Sequence, residues 1–171
     1  VVLATGAYSL QLARELGCRL PIQPGKGYHR DLEFGEGSRP PLEAACVLGE
    51  TSVFCTPMSG RLRLAGTLEF SGLNHWMRPS RLAQLTASAE QYLGDIGPAR
   101  VTSEWCGLRP CTPDGLPVVG RLPGQTKVFA ATGHAMTGLT LGPITGSLVA
   151  DLVTGATPPS TEVTALAPAR F

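Results

Sequence analysis

Arg109 stands in the most constrained stretch of the sequence, Trp105-Cys106-Gly107-Leu108-Arg109-Pro110-Cys111-Thr112-Pro113-Asp114-Gly115-Leu116-Pro117. Three prolines and two glycines restrict the backbone here, while Trp105, Arg109 and Asp114 are the large or charged side chains it displays. A guanidinium on a rigid loop suits a carboxylate, because its planar fork donates two parallel hydrogen bonds. A solvated surface arginine is the competing reading. A second stretch, Ala130-Ala131-Thr132-Gly133-His134-Ala135-Met136-Thr137-Gly138-Leu139-Thr140-Leu141-Gly142-Pro143, reads as a buried strand, a glycine-punctuated loop and the start of a helix. Glycines at 133, 138 and 142 let backbone amides approach a ligand, and a helix N-terminus favours negative charge on it. An ordinary strand-to-helix turn competes with that reading. The third stretch, Val1-Val2-Leu3-Ala4-Thr5-Gly6-Ala7-Tyr8, ends a strand in small residues, across which a flat cofactor can lie in an open α/β sheet.

Other chemistries find no residues to carry them. The phosphate-cradling GxGxxG is absent, since Gly25-Lys26-Gly27 and Gly35-Glu36-Gly37 lack the third glycine at the required spacing. There is no GxSxG nucleophile turn, and neither of the two lysines, Lys26 and Lys127, has a setting that suggests a Schiff base. The three histidines, His29, His75 and His134, are far apart in sequence, and Cys106 and Cys111 form a lone pair of possible ligands, so no metal site is expected. Five cysteines, an odd number without a CxxC, read as reduced thiols of a cytoplasmic protein rather than a disulfide framework.

The elements that must hold these segments follow from periodicity. Val1–Thr5 predicts a strand buried on both faces, followed by a helix with Ser9 as N-cap, Leu10, Ala13 and Leu16 on its apolar face, and Gly17 as stop. Pro21–Tyr28 is a Pro/Gly-rich connection and the first boundary. Beyond it, Ala45–Leu48 and Ser52–Thr56 predict a hairpin around Gly49-Glu50. Arg61–Leu64 and Thr67–Phe70 predict one long strand of unbroken parity, as in an antiparallel sheet. Ser80 caps a second predicted helix carrying Leu82, Leu85, Ala89 and Leu93, with Gly94 as its end. A second boundary falls at Gly97-Pro98, a loop-rich segment at 105–120, a strand at 128–131, a helix at 143–153 with Ile144, Leu148 and Leu152 on one stripe, and a tail from Leu166. The ends thus read as parallel α/β and the middle as antiparallel, an α+β pattern in which a middle domain interrupts an outer one.

Composition limits the classes. The chain has 171 residues, a formal net charge of +1, 43% hydrophobic residues and 16% charged ones, enough to bury a core and without a basic stripe for nucleic acid. No apolar run reaches the ~20 residues of a membrane span. The expected location is cytoplasmic, at most peripheral to the inner membrane. The first residue is not Met, and the chain reads as a piece of something longer.

In their order, VVLATGAYS, QPGKGY, RLRLAGTLEFSG, WCGLRPCTPDGLPVVG and VFAATGHAMTGLTLGPITGSLVADLV resemble the C-terminal part of the D-amino-acid oxidase/dehydrogenase superfamily of FAD-dependent oxidoreductases. Bacterial D-amino-acid dehydrogenases are the nearest in look, then glycine oxidase-like members. The last two segments are the specific ones. The resemblance implies an antiparallel-sheet substrate domain at 21–106, inserted into a Rossmann-type FAD domain represented by 1–20 and 107–171. It implies that Arg109 binds the substrate carboxylate, and that Gly133, His134, Met136, Thr137, Gly138, Leu139 and Thr140 form the flavin loop. Thr5, Gly6 and Ala7 fall at a strand end near the cofactor, and Tyr28 and His75 are candidate pocket residues. It also implies oxidative deamination of a D-amino acid, with hydride passing from Cα to flavin N5 and on to a quinone or oxygen. The family's N-terminal βαβ unit has no counterpart here, so the expectation is a fragment that retains FAD poorly alone and needs that segment as a partner. The rivals are a glycine/sarcosine oxidase-like enzyme using oxygen and a non-catalytic α+β binding domain.

Overall fold

A computed structural model describes residues 1–35, 37–156 and 161–171. Glu36, centre of the Gly35–Gly37 triplet, and residues 157–160 lie outside the described residues. The fold is mixed α+β and divides into two compact units: the first comprises 1–25, 70–73 and 108–171, the second 26–69 and 74–107.

The first unit is built on a three-stranded sheet. β1 (Val2–Leu3) leads through a 3₁₀ turn at Gly6–Tyr8 into α1 (Ser9–Glu15). Ser9 lies inside α1 rather than capping it, because its fully buried hydroxyl is taken by Thr5 and Thr132. Gly17, at φ +71°, ends the helix, where Cys18 N–H donates to the Ala13 carbonyl. Only Leu3 of the opening run is buried; Val1 and Val2 are exposed, so the expected two-sided burial fails along this edge strand.

The second unit holds the five-stranded antiparallel sheet. Its strands are β2 (Gln23–Phe34), β3 (Cys46–Leu48), β4 (Val53–Met58), β5 (Arg61–Glu69) and β6 (Ala99–Cys111), in the order β3-β4-β5-β2-β6; β2 and β6 also reach into the first unit at one end. The Pro21–Tyr28 connection is therefore largely strand. Alternation puts Tyr28, Leu32, Leu62, Leu64 and Cys55 on one face, packed beneath α2 (Pro79–Leu93) through Leu82, Leu85 and Ala89. α2 starts one residue before Ser80: Arg78 is its N-cap and Pro79 supplies the fixed φ of the first turn.

β5 does not keep one parity. Lys26 pairs with Glu69 but Tyr28 with Gly66, so β5 carries an extra residue, and Thr67 takes it up at φ +67°. The bulge turns Leu68 out to solvent and Glu69 into the core. Gly66 is needed beside it, since a Cβ there would come within 2.9 Å of Leu85 Cδ2 and 3.2 Å of the Ser52 carbonyl.

The segment read as a boundary and a loop, 97–111, is mostly β6. Pro110 is compatible with a strand because β6 is an edge of the sheet, where a missing N–H costs no ladder bond. After it, β7 (Val118–Arg121) and β8 (Phe129–Thr132) complete the first unit's sheet, with β8 central between parallel β1 and antiparallel β7. α3 (Gly138–Thr154) begins five residues before the predicted start and holds Pro143 within it. Its buried residues are Thr145 and Val149, and Ile144, placed on the buried stripe by periodicity, is exposed. α4 (Thr161–Thr164) precedes the end of the chain, which is docked rather than trailing. Val119 N–H donates to the Leu166 carbonyl at 2.9 Å, Pro168 is buried against Gly120, and Arg170 donates to both Asp114 oxygens. Among the described residues, no helix is long and apolar enough to cross a membrane.

Candidate active site

In the first unit, the ends of β1 and β8 are tied by a chain of hydroxyls. Thr5 Oγ1 and Ser9 Oγ lie 3.0 Å apart, Ser9 donates to Thr132 Oγ1 at 3.1 Å, and Thr132 donates to the Gly6 carbonyl at 3.1 Å. Ser9 and Thr132 are buried, so these bonds satisfy polar groups that water does not reach. They hold the Thr5-Gly6-Ala7 turn against the root of the glycine loop. Nothing lies within 4 Å of a Cβ position on Gly6, so this small-residue strand end borders open space.

The loop after β8 is fixed by its own backbone. Gly133 sits at φ +80°, where a Cβ would meet Thr112 Cγ2 at 2.8 Å and the Val118 nitrogen at 3.3 Å. Ala135, at φ +45°, donates its N–H to the Pro110 carbonyl at 3.0 Å. That bond joins the loop to the residue next to Arg109, so the two stretches singled out by sequence are built together. His134 Nε2 lies 2.9 Å from Thr145 Oγ1, and burial lowers its pKa, which keeps the ring neutral at pH 7.

No side chain caps α3. Thr137 occupies the cap position, but its hydroxyl donates to the His134 carbonyl at 2.8 Å, which leaves the first-turn amides of Gly138, Leu139 and Thr140 facing out of the helix end. Around this end two large apolar side chains are open: Met136 is 68% and Leu139 95% exposed. Donors without a cap beside uncovered apolar surface match a ligand that carries hydrogen-bond acceptors on an otherwise apolar body.

Arg109 lies on β6, not on a loop. It is partly buried, and burial lowers its pKa from the ordinary arginine value, with neighbouring Cys111 opposing the shift; the group remains a cation. Burial likewise pushes the Cys111 thiol up, against Arg109 and the Gly25 amide. A cleft of about 770 Å³ in the same unit is lined by Leu10, Arg14, Arg19, Ile22, Phe70 and Cys111 among others, but not by Arg109.

Tyr28 and His75 belong to the second unit. Tyr28 is fully buried and donates its hydroxyl to Glu69 Oε2 at 2.9 Å, while Arg78 N–H donates to that hydroxyl at 3.3 Å. Its place is in the core beneath α2, and burial raises its pKa. His75 is exposed on the segment before α2, and its carbonyl accepts from Cys106 Sγ at 3.4 Å. Sequence reasoning missed the residue that organises this segment. Lys26 is fully buried and donates to Asn74 Oδ1 at 2.6 Å and to the Trp76 carbonyl at 2.9 Å, with Glu69 Oε1 3.7 Å away. A lysine flanked by glycines at the start of a strand carried no pattern; only the Thr67 bulge, which turns Glu69 inward, supplies its counter-charge. Among the described residues, no three His, Cys, Asp or Glu side chains gather as a metal would require.

The sequence profile described as DAO, FAD dependent oxidoreductase, matches residues 1–152. The D-amino acid dehydrogenase of Cereibacter sphaeroides is 36% identical over 159 residues, covering 92% of this chain and 36% of that protein. The glycine oxidase of Pseudomonas putida is 35% identical over 158 residues, covering 92% of this chain and 42% of that protein. The crystal structure of glycine oxidase from Geobacillus kaustophilus superposes on the whole chain with a TM-score of 0.87 at 29% identity, over 45% of its own length. The chain thus spans less than half the length of these relatives.

Proposed function

Since the chain belongs to the DAO family of FAD dependent oxidoreductases, we propose that it forms the substrate-anchoring and flavin-ring part of an enzyme that oxidatively deaminates D-amino acids. The observation that carries this is the bond from Ala135 N–H to the Pro110 carbonyl, which builds the glycine loop and the Arg109 strand as one piece.

The residues present fit FAD at the 132–140 loop. The uncapped amides of Gly138, Leu139 and Thr140, the exposed Met136 and Leu139, and the open space at Gly6 together offer hydrogen-bond donors, an apolar surface and room. When bound, FAD supplies acceptance of the hydride from the substrate Cα. The chain does the rest by position and charge. Arg109 holds the substrate carboxylate in two parallel hydrogen bonds and fixes which face of Cα is presented. The N-terminus of α3 stabilises negative charge at its end, and the lowered pKa of His134 keeps a second full charge out of that place. An amine that arrives neutral requires no side-chain base.

In this reading the first unit belongs to the FAD domain and the second is the substrate domain inserted in it. Tyr28 acts through Glu69 as a framework residue rather than a contact. The ADP-binding part of the site is placed in the portion of the relatives' length that this chain does not span. Location is cytoplasmic or at the membrane surface, depending on whether a quinone or oxygen takes the electrons.

Anaerobic mixing of the complete protein with D- and L-amino acids tests the proposal. Loss of flavin absorbance with D-enantiomers supports it, and no loss with any D-amino acid refutes it. Admitting oxygen then separates the second reading, which the likeness to glycine oxidases favours: fast oxygen uptake marks an oxidase, slow uptake with fast quinone reduction a dehydrogenase.

A further inference from the structure

The sequence shows five cysteines without a CxxC pair, yet the fold sets two of them opposite one another. Cys46 on β3 is the direct antiparallel partner of Cys55 on β4, and the two thiols are within hydrogen-bonding reach. Residues directly opposite in such a pair hold their Cβ atoms about 4.5–5.5 Å apart, at the edge of the roughly 3.5–4.5 Å a disulfide needs, so closure takes only a small approach of the two strands. The other thiols are otherwise placed. Cys18 donates to the Pro123 carbonyl at 3.2 Å and Cys106 to the His75 carbonyl at 3.4 Å. Cys106 and Cys111 stand five residues apart on one strand, roughly 16 Å along it and too far for a bridge.

We propose that Cys46 and Cys55 are an oxidant-responsive pair that closes to a disulfide at the expense of a peroxide, stapling the edge strand β3 to β4. The roles divide by burial. Cys55 is fully buried, while Cys46 is only partly covered and meets an oxidant first. Burial, with Cys46 adding to it, pushes the Cys55 thiol up to about 11, so it stays protonated at neutral pH. The Cys46 thiolate attacks one peroxide oxygen; an S–O bond forms, the O–O bond breaks, and the departing hydroxide takes a proton and leaves as water. The Cys55 sulfur then attacks the Cys46 sulfenic acid. The S–S bond forms, the S–O bond breaks, and the Cys55 proton leaves with the oxygen as a second water. In total the two thiols lose two electrons and the peroxide gains them. The bridge matters here because β3 is an edge strand held in the sheet by β4 alone.

The test treats the reduced chain with hydrogen peroxide, blocks the remaining thiols by alkylation and cleaves after glutamate without reductant. Glu50 lies between the two cysteines, so 44–50 and 51–69 separate unless bridged. The expected result is an intact mass lower by two hydrogens, and those two peptides joined in a species that a reductant splits. Cys46→Ser removes the joined species; Cys55→Ala, which puts a smaller apolar side chain in the buried position, removes it as well. Recovery of both peptides separately alkylated, further oxidation of Cys46 alone, a bridge to Cys18, Cys106 or Cys111 instead, or loss of two hydrogens in Cys46→Ser would each overturn the proposal.

Discussion

Replacing Lys26 by Met tests whether the buried charge cluster holds the second unit together. Met keeps the volume of the lysine stem, so packing changes little and the effect isolates the ammonium. That group donates to Asn74 Oδ1 at 2.6 Å and to the Trp76 carbonyl at 2.9 Å, and lies 3.7 Å from Glu69, which is 9% exposed. A hydrogen bond from a charged donor contributes about 1.5–3 kcal/mol, and breaking a buried pair by removing one partner costs about 3–5 kcal/mol. Glu69 keeps two other partners, the Tyr28 hydroxyl at 2.9 Å and Arg78 at 3.6 Å, which places the cost near the low end, at about 3 kcal/mol. Urea unfolding followed by tryptophan fluorescence is a suitable assay, because both tryptophans, Trp76 and Trp105, lie in the second unit. The slope of free energy against urea should stay unchanged while the midpoint falls. Adding Glu69→Leu to Lys26→Met should cost less than the sum of the single changes, since the second removes the charge the first left unpaired. A loss below about 1 kcal/mol, or additive costs, would show that the Lys26 charge does not hold the unit together.

Gly133→Ala should destabilise the first unit by about 2 kcal/mol or more, read as a lower thermal midpoint, because a Cβ at φ +80° meets Thr112 Cγ2 at 2.8 Å and a backbone nitrogen at 3.3 Å. Asp114, held down to about 2 by the Arg170 hydrogen bonds, binds its proton more weakly folded than unfolded. Its contribution is therefore present above pH ~4 and lost as pH falls towards 2, so Asp114→Asn should flatten the acid limb of the stability curve between those values. The lowered pKa of His134 works in the same direction at higher pH: stability drops as pH falls below the usual histidine range, and His134→Gln removes that drop.

What could be read from sequence was whatever local patterning controls. α2 and the β3–β4 hairpin are legible because Leu82, Leu85 and Ala89 repeat at helical spacing and Gly49-Glu50 separates two apolar runs. The Thr132–Thr140 loop is legible because its glycines are needed where the chain turns, Gly133 most of all. Features set by distant partners were not. Arg109 reads as a loop residue, since Pro110 and Pro113 mark turns locally, yet the edge position of β6 admits Pro110. α3 starts at Gly138 although Pro143 suggested a later beginning: Pro143 is the sixth residue of the helix, inside it rather than in its first turn, and the helix runs through it without the bond its N–H would have made to the Leu139 carbonyl. Arg170 anchors a segment that looks like a tail, through Asp114, a residue 56 positions away. The parity flip at Thr67, and with it the pairing of Glu69 and Lys26, arises from the register between β5 and β2, which neither strand's own sequence contains.

The proposed hold of Arg109 on the substrate carboxylate is tested most directly by kinetics on two compounds. In the complete enzyme, kcat/KM for a D-amino acid and for the amine lacking its carboxylate should differ strongly in wild type. In Arg109→Ala, the value for the amino acid should fall roughly 100-fold, about 3 kcal/mol, while the value for the amine stays nearly the same. Equal losses on both compounds, or an unchanged value for the amino acid, would rule out that role for Arg109.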